Sequence, residues 1–246
     1  MFQKFHNLFN EFKTLYVAPQ QYTGREMLSQ LGIRTGMPVI VFKEGDNYLA
    51  DERLERTVCE GIARAAAEIR ATLVDHGANV GLMGFLNTAV RERHHSGLYI
   101  GVAPRGLTRL PNQTTYDHLI ALGDAHTHFV LVEGDRWGIE MPTLNAMLKA
   151  LADTASFLVV SIKGNPSAET EGKIGSDNPQ KTMTAEMRKS MADSISLQLR
   201  FPGHPENAAP PKLSREEIFP VADLYAEPEK LTNKIKYYLK IYGANG

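Results

Sequence analysis

Apolar side chains in the first sixteen residues fall at Phe2, Phe5, Phe9, Phe12 and Tyr16, alternating steps of three and four that set every ring on one helical face. The spacing predicts an amphipathic N-terminal helix over 1–16. Three partners suit that face: the chain's own domain, a second copy, or a membrane surface, for which Lys4 and Lys13 supply little positive charge. From Pro38 the period changes. Val39 to Phe42 is a short apolar run closed by Lys43-Glu44-Gly45-Asp46-Asn47, the pattern of a buried strand and its exit turn. Asp51 then stands as N-cap to a helix whose inner face carries Leu54, Val58, Ile62, Ala65 and Ile69.

The alternation continues. A strand from Ala71 to Val74 runs into Asp75-His76-Gly77-Ala78-Asn79-Val80-Gly81, and a helix starting near Leu82 turns Met83, Leu86 and Val90 inward. Leu98 to Val102 and Phe129 to Val132 read as the third and fourth strands. A helix from Pro142 to Leu151 and a fifth strand, Phe157 to Ile162, follow. Strands that alternate with helices call for a mainly parallel sheet covered on both faces. Beyond Lys163, residues 164–182 are rich in Gly, Pro, Ser, Asn and Asp and read as a long loop. Met187, Met191, Ile195 and Leu199 stand four apart, which predicts one ridge of a helix. Four prolines between Phe201 and Pro211 argue against regular structure there, and Leu231 to Tyr242 reads as a last amphipathic helix. The expected organisation is an N-terminal helical segment over 1–34, an α/β domain over 35–166, and a loop-rich, helical C-terminal extension over 167–246 packed on that domain.

Composition narrows the function. The chain has 246 residues, with 27 Lys and Arg against 28 Asp and Glu, so no long-range field draws in a polyanion and nucleic acid is disfavoured as the main partner. Cys59 stands alone, which excludes an internal disulfide and a thiolate metal cage and fits a reducing compartment. No segment approaches the roughly 18 apolar residues needed to span a bilayer. The expectation is a cytoplasmic protein without a membrane span.

In a parallel sheet every strand's C-terminal end points to one rim, where following helices present unpaired N–H groups. Three strand exits carry glycine at that rim: Gly45, the Gly77/Gly81 turn with Ala78 and Asn79 inside it, and the Gly134/Gly138 turn. Backbone amides there suit a phosphate without help from lysine. Either the glycines admit a ligand or they merely permit tight turns. The stretch from Glu133 to Glu140 adds richer chemistry: Glu133, Asp135 and Glu140 suit ribose hydroxyls, Arg136 a phosphate, and Trp137 a base. Alternatively Trp137 anchors the core and Glu140 is a charge at a helix start. His126 and His128 flank Thr127 just before a strand, and an extended backbone would set both rings on one face. Structural hydrogen bonding is the favoured role for them, and no metal is expected.

Taken in order and spacing, several of these pieces resemble the TRPM-type branch of the SLOG superfamily, prokaryotic Rossmann-like domains that sense nucleotide ligands. The resemblance spans Pro38 to Pro166 and rests on Gly61-Ile-Ala-Arg-Ala-Ala, Gly77-Ala-Asn-Val-Gly-Leu-Met83, Ile100-Gly-Val-Ala-Pro-Arg-Gly106, His126-Thr-His-Phe-Val-Leu-Val132 and Trp137-Gly-Ile-Glu-Met-Pro142. It implies a Rossmann-like three-layer sandwich that binds ADP-ribose, cyclic ADP-ribose or a similar signal as sensor or sponge, with a separate effector. On that basis the ligand would meet Lys43, Glu44, Gly45, His76, Gly77, Ala78, Asn79, Gly81, Arg105, Gly106, Glu133, Gly134, Asp135, Trp137, Gly138 and Glu140. No cofactor is required, and the N-terminal helix offers a route to a homo-oligomer. The alternative is a nucleotide N-glycoside hydrolase in which Glu140 is catalytic, as the resemblance to phosphoribohydrolases implies. The chain departs from the related N-terminal domains of TRPM cation channels at Asp75-His76-Gly77, where they show Thr-Gly-Gly, and at Leu144, where they carry an arginine.

Overall fold

The computed structural model describes residues 12–44, 52–113, 118–163, 194–200, 216–220 and 229–243. In chain order the elements are β1 (Lys13–Val17), α1 (Gly24–Leu31), β2 (Val39–Glu44), α2 (Glu52–Ile69), β3 (Thr72–Asp75), α3 (Gly81–Glu92), β4 (Tyr99–Pro104), β5 (Thr108–Arg109), β6 (Ile120–Ala121), β7 (His128–Val132), α4 (Met141–Ala152), β8 (Phe157–Lys163), β9 (Ser194–Arg200), β10 (Glu216–Pro220) and α5 (Lys230–Gly243). Eight strands form one sheet in the order β1-β7-β4-β3-β2-β8-β9-β10. The six from β1 to β8 in that order run parallel, and β9 and β10 continue antiparallel. β5 and β6 pair separately beside it.

Side-chain alternation dictates the layers. In β2, Ile40 and Phe42 pack against α2, α3 and α5, joined by Leu73, Tyr99, Leu158 and Val160 from neighbouring strands. Val39 and Val41 pack the other way, against α1 and α4, with Val74, Ile100, Val102 and Val130. Strands buried on both faces need helices on both faces, so the pattern yields a Rossmann-like three-layer sandwich. β2, β3, β4, β7 and β8 and the helices α2 to α5 lie where the apolar periodicity puts them, whereas the two-residue strands β5 and β6 carry no such signal.

Two predicted helices meet strands instead. Residues 13–17 form β1, which runs beside β7 from Lys13↔His128 to Val17↔Val132. The ambiguity is geometric: a step of four keeps Phe12 and Tyr16 on one side of a strand as it does on a helix. Phe12 meets Phe129 edge-on at 5.5 Å, while Leu15 and Val17 bury on the opposite face. Phe2, Phe5 and Phe9 lie outside the described residues. Ile195 and Leu199, likewise four apart, lie on β9 opposite Ile162 and Leu158. Met187 and Met191 lie outside the described residues. The alternation Ser194-Ile195-Ser196-Leu197-Gln198-Leu199 is the strand signal that the wider spacing hid.

α1 lies within the segment expected to be helical, although no helix was placed at these residues, and its sequence carries both end signals. Thr23 and Glu26 form a capping box, and Gly32 closes the helix at φ +69°. Gly24 lies so close to α4 that a Cβ there would meet the Ala146 carbonyl oxygen at 2.0 Å.

His128 points into the α1 side of the sheet. Burial, and the Lys13 charge beside it, push its imidazole down to about 4. The unfolded chain therefore takes up this proton first on acidification, so stability is lost as pH falls from about 6.5 toward about 4. The expected contribution is about 3 kcal/mol across that window. Urea denaturation of His128→Gln and wild type at both ends of the window should show a correspondingly flatter pH dependence in the variant.

Candidate functional site

The helices that follow β3 and β7 leave the sheet on opposite sides. α3 joins the cluster of α2 and α5, whereas α4 joins that of α1, and β4 alone separates β3 from β7. Such a reversal opens a crevice outside the C-terminal ends of the strands. The loops after β3, β4 and β7 meet there.

The turn after β3 is built on Asp75, a residue 1% exposed. It accepts from the Gly77 N–H at 2.6 Å, from the Tyr99 hydroxyl at 2.5 Å, and pairs with His126 Nε2 at 2.9 Å. Burial, and then the Asp75 charge, push the Tyr99 phenol well above its usual range, so it stays a donor. The His126 ring stacks on Tyr99 with centroids 3.7 Å apart, and its Nδ1 lies 3.1 Å from the Gly123 carbonyl. Gly77 adopts φ +75° directly over β4, where a Cβ would come within 3.2 Å of Gly101 Cα. Its amide is already taken and Ala78 is buried, so these two shape the turn rather than face outward. Asn79 donates its backbone N–H to Ala121 at 2.8 Å, and its Oδ1 lies 3.3 Å from Asn87 Nδ2. Asn87 in turn donates to Asp124 at 2.9 Å and accepts from the Ala125 N–H at 2.9 Å. Gly81, at φ +51°, opens α3 behind an N-cap, Val80, that makes no side-chain cap. The N-cap thus offers the first amides of this helix no side-chain acceptor, and they carry the positive end of its dipole.

After β7, Glu133, Asp135, Arg136, Trp137 and Gly138 are exposed. Trp137 at 44% exposure is no core anchor. Gly134 (φ +145°) accepts the Gly106 N–H at 2.7 Å, which ties this loop to the one after β4. Glu140 is the N-cap residue of α4 and is 2% exposed. Its Oε2 accepts the Gly138 N–H at 2.8 Å, and its Oε1 lies 3.4 Å from His76 Nδ1. Arg105 is exposed, with its guanidinium 4.9 Å from the centre of the Tyr16 ring on β1. Lys43 and Glu44 end β2, one strand beyond β3, and Gly45 lies outside the described residues.

The expected sites on β3, β4 and β7 thus converge, and His76 meets Glu140 across them. His126 and His128 do not share a face. The chain turns between them, so His126 stacks on Tyr99 while His128 lies across the sheet among the residues facing α1. Sequence reasoning missed Asp75, Tyr99 and Asn87. Asp75-x-Gly77 carries the mark of an aspartate that bonds the amide two residues on, a signal that was available.

The profile of the family described as SLOG in TRPM, prokaryote, matches residues 37–204. The chain belongs to this family. The match runs from the threshold of β2 through β9, so it takes in the reversal and all three loops above it. No curated protein matches the chain. Membership in the SLOG family suggests nucleotide-ligand binding at a general level. Among the described residues, no helix is long and apolar enough to cross a membrane.

The hub under the SLOG crevice makes a measurable demand. Tyr99→Phe removes one donor from a buried carboxylate and is expected to cost about 1–3 kcal/mol, read as a lower urea midpoint with an unchanged slope.

Proposed function

We propose that the chain binds a nucleotide-derived signalling ligand, ADP-ribose, cyclic ADP-ribose or a close relative, in the crevice above β3, β4 and β7. What supports this reading is that three kinds of group stand on the loops that leave the sheet at its reversal. The uncapped start of α3 at Val80 and Gly81 suits a phosphate. The exposed Trp137 indole offers a face for a base, and the exposed carboxylates of Glu133 and Asp135 offer acceptors for ribose hydroxyls. Lys43 and Glu44 flank the crevice from β2. Capture of this kind serves a sensor that passes the signal to a separate effector, or a sponge that withdraws it. A buried Cys59 thiol, pushed up by burial, accords with a reducing cytoplasmic setting.

Binding is favoured over N-glycoside hydrolysis by the state of Glu140. A catalytic carboxylate must reach the anomeric carbon or its water, whereas this one is buried with one oxygen bonded to Gly138 and the other facing His76.

Two outcomes follow from this reading. Thermal-shift titration with a panel of adenine nucleotides and ADP-ribose derivatives should show stabilisation by at least one of them, and Trp137→Ala should weaken its binding by about 1–3 kcal/mol. No stabilisation by any of them at millimolar concentration would remove the proposal. Chromatography of the same ligands after prolonged incubation should show no free base, and release that depends on Glu140 would reinstate the hydrolase.

A further inference from the structure

The loops after β3 and β7 are joined through one side-chain contact whose polarity can be worked out. Glu140 Oε2 is taken by the Gly138 N–H, which leaves Oε1 facing His76 Nδ1 at 3.4 Å. That is longer than a formed hydrogen bond, yet Nδ1 is sealed from water and has no other partner among the described residues. A carboxylate beside one imidazole nitrogen draws the proton there and so decides what the other nitrogen offers. The His76 side chain is 28% exposed against 2% for Glu140, and Nε2 bonds to no protein group among the described residues.

The geometry points to Glu140 as a positioning residue that, in the neutral form of the His76 ring, keeps the proton on Nδ1, so that Nε2 accepts a hydrogen bond from a sugar hydroxyl of the nucleotide ligand. A hydroxyl suits this nitrogen because it donates. A phosphate oxygen only accepts and would meet a lone pair. The ligand half of the assignment rests on nucleotide binding at the crevice, whereas the ring's tautomer is a property of the protein alone.

Nitrogen–proton correlation spectra of the full-length protein at mildly alkaline pH read that tautomer directly. An Nδ1–H ring is expected for His76, and an Nε2–H ring overturns the assignment without any ligand present. Glu140→Gln supplies a second reading. The Gly138 N–H claims the amide carbonyl, so the amide NH2 turns toward His76 Nδ1 and the proton should move to Nε2. An unchanged tautomer in that variant also overturns the assignment.

Calorimetric titration with ADP-ribose tests the hydroxyl. His76→Asn keeps a donor toward Glu140 but places nothing at the Nε2 position, and it should bind about tenfold more weakly than wild type. An ADP-ribose analogue lacking the contacted ribose hydroxyl should bind both proteins alike. Equal affinity of the two proteins for ADP-ribose, or the same loss in the variant for every deoxyribose analogue, overturns the hydroxyl contact. Failure of the wild type to bind ADP-ribose overturns the nucleotide reading and the hydroxyl contact together, while an Nδ1–H ring in that same protein still supports Glu140 as the residue that orients His76.

Discussion

A carboxylate sealed from water must be answered by donors, and the end of β3 is arranged around that demand. Asp75 draws its three partners from separate parts of the chain: the Gly77 amide in its own turn, the Tyr99 hydroxyl on β4, and His126 in the turn that leads to β7. Leaving any of them out would leave a buried acceptor short of a partner, and one side chain thereby ties the C-terminal end of β3 to the starts of β4 and β7. Gly77 and Gly101 make the approach feasible, because a Cβ on Gly101 would lie 2.7 Å from Gly77 Cα.

Above this fixed layer the character changes. Glu133, Asp135, Arg136 and Trp137 project from the loop after β7, and Gly81 opens an uncapped helix, while Gly77 and Ala78 stay below as the floor. Rigid underpinning with exposed chemistry on top is the arrangement that lets loops carry recognition without disturbing the core. His76 and Glu140 stand at the boundary, one partly exposed and the other buried.

Where short apolar runs alternate with turn signals, from Val39 to Ile162, the order of the five long strands and the helices was legible because those strands are buried on both faces. Steps of four misled at Phe12/Tyr16 and at Ile195/Leu199, since a strand and a helix both return a side chain to the same face after four residues. Which glycines admit a ligand could not be read from the letters. Gly77 and Gly81 look alike in sequence, yet one amide is bound to Asp75 and the other residue begins a helix. The hub itself escaped because Asp75, Tyr99 and His126 are brought together by strand order, which no local pattern encodes.

Cys59 sits fully buried on α2, with its Sγ against the Leu82 carbonyl. A thiol so enclosed is inert toward reagents that attack exposed thiolates. Any cysteine placed on the rim would be the sole reactive sulfur in the molecule, so a single fluorophore or spin probe could be attached there without first stripping the native residue.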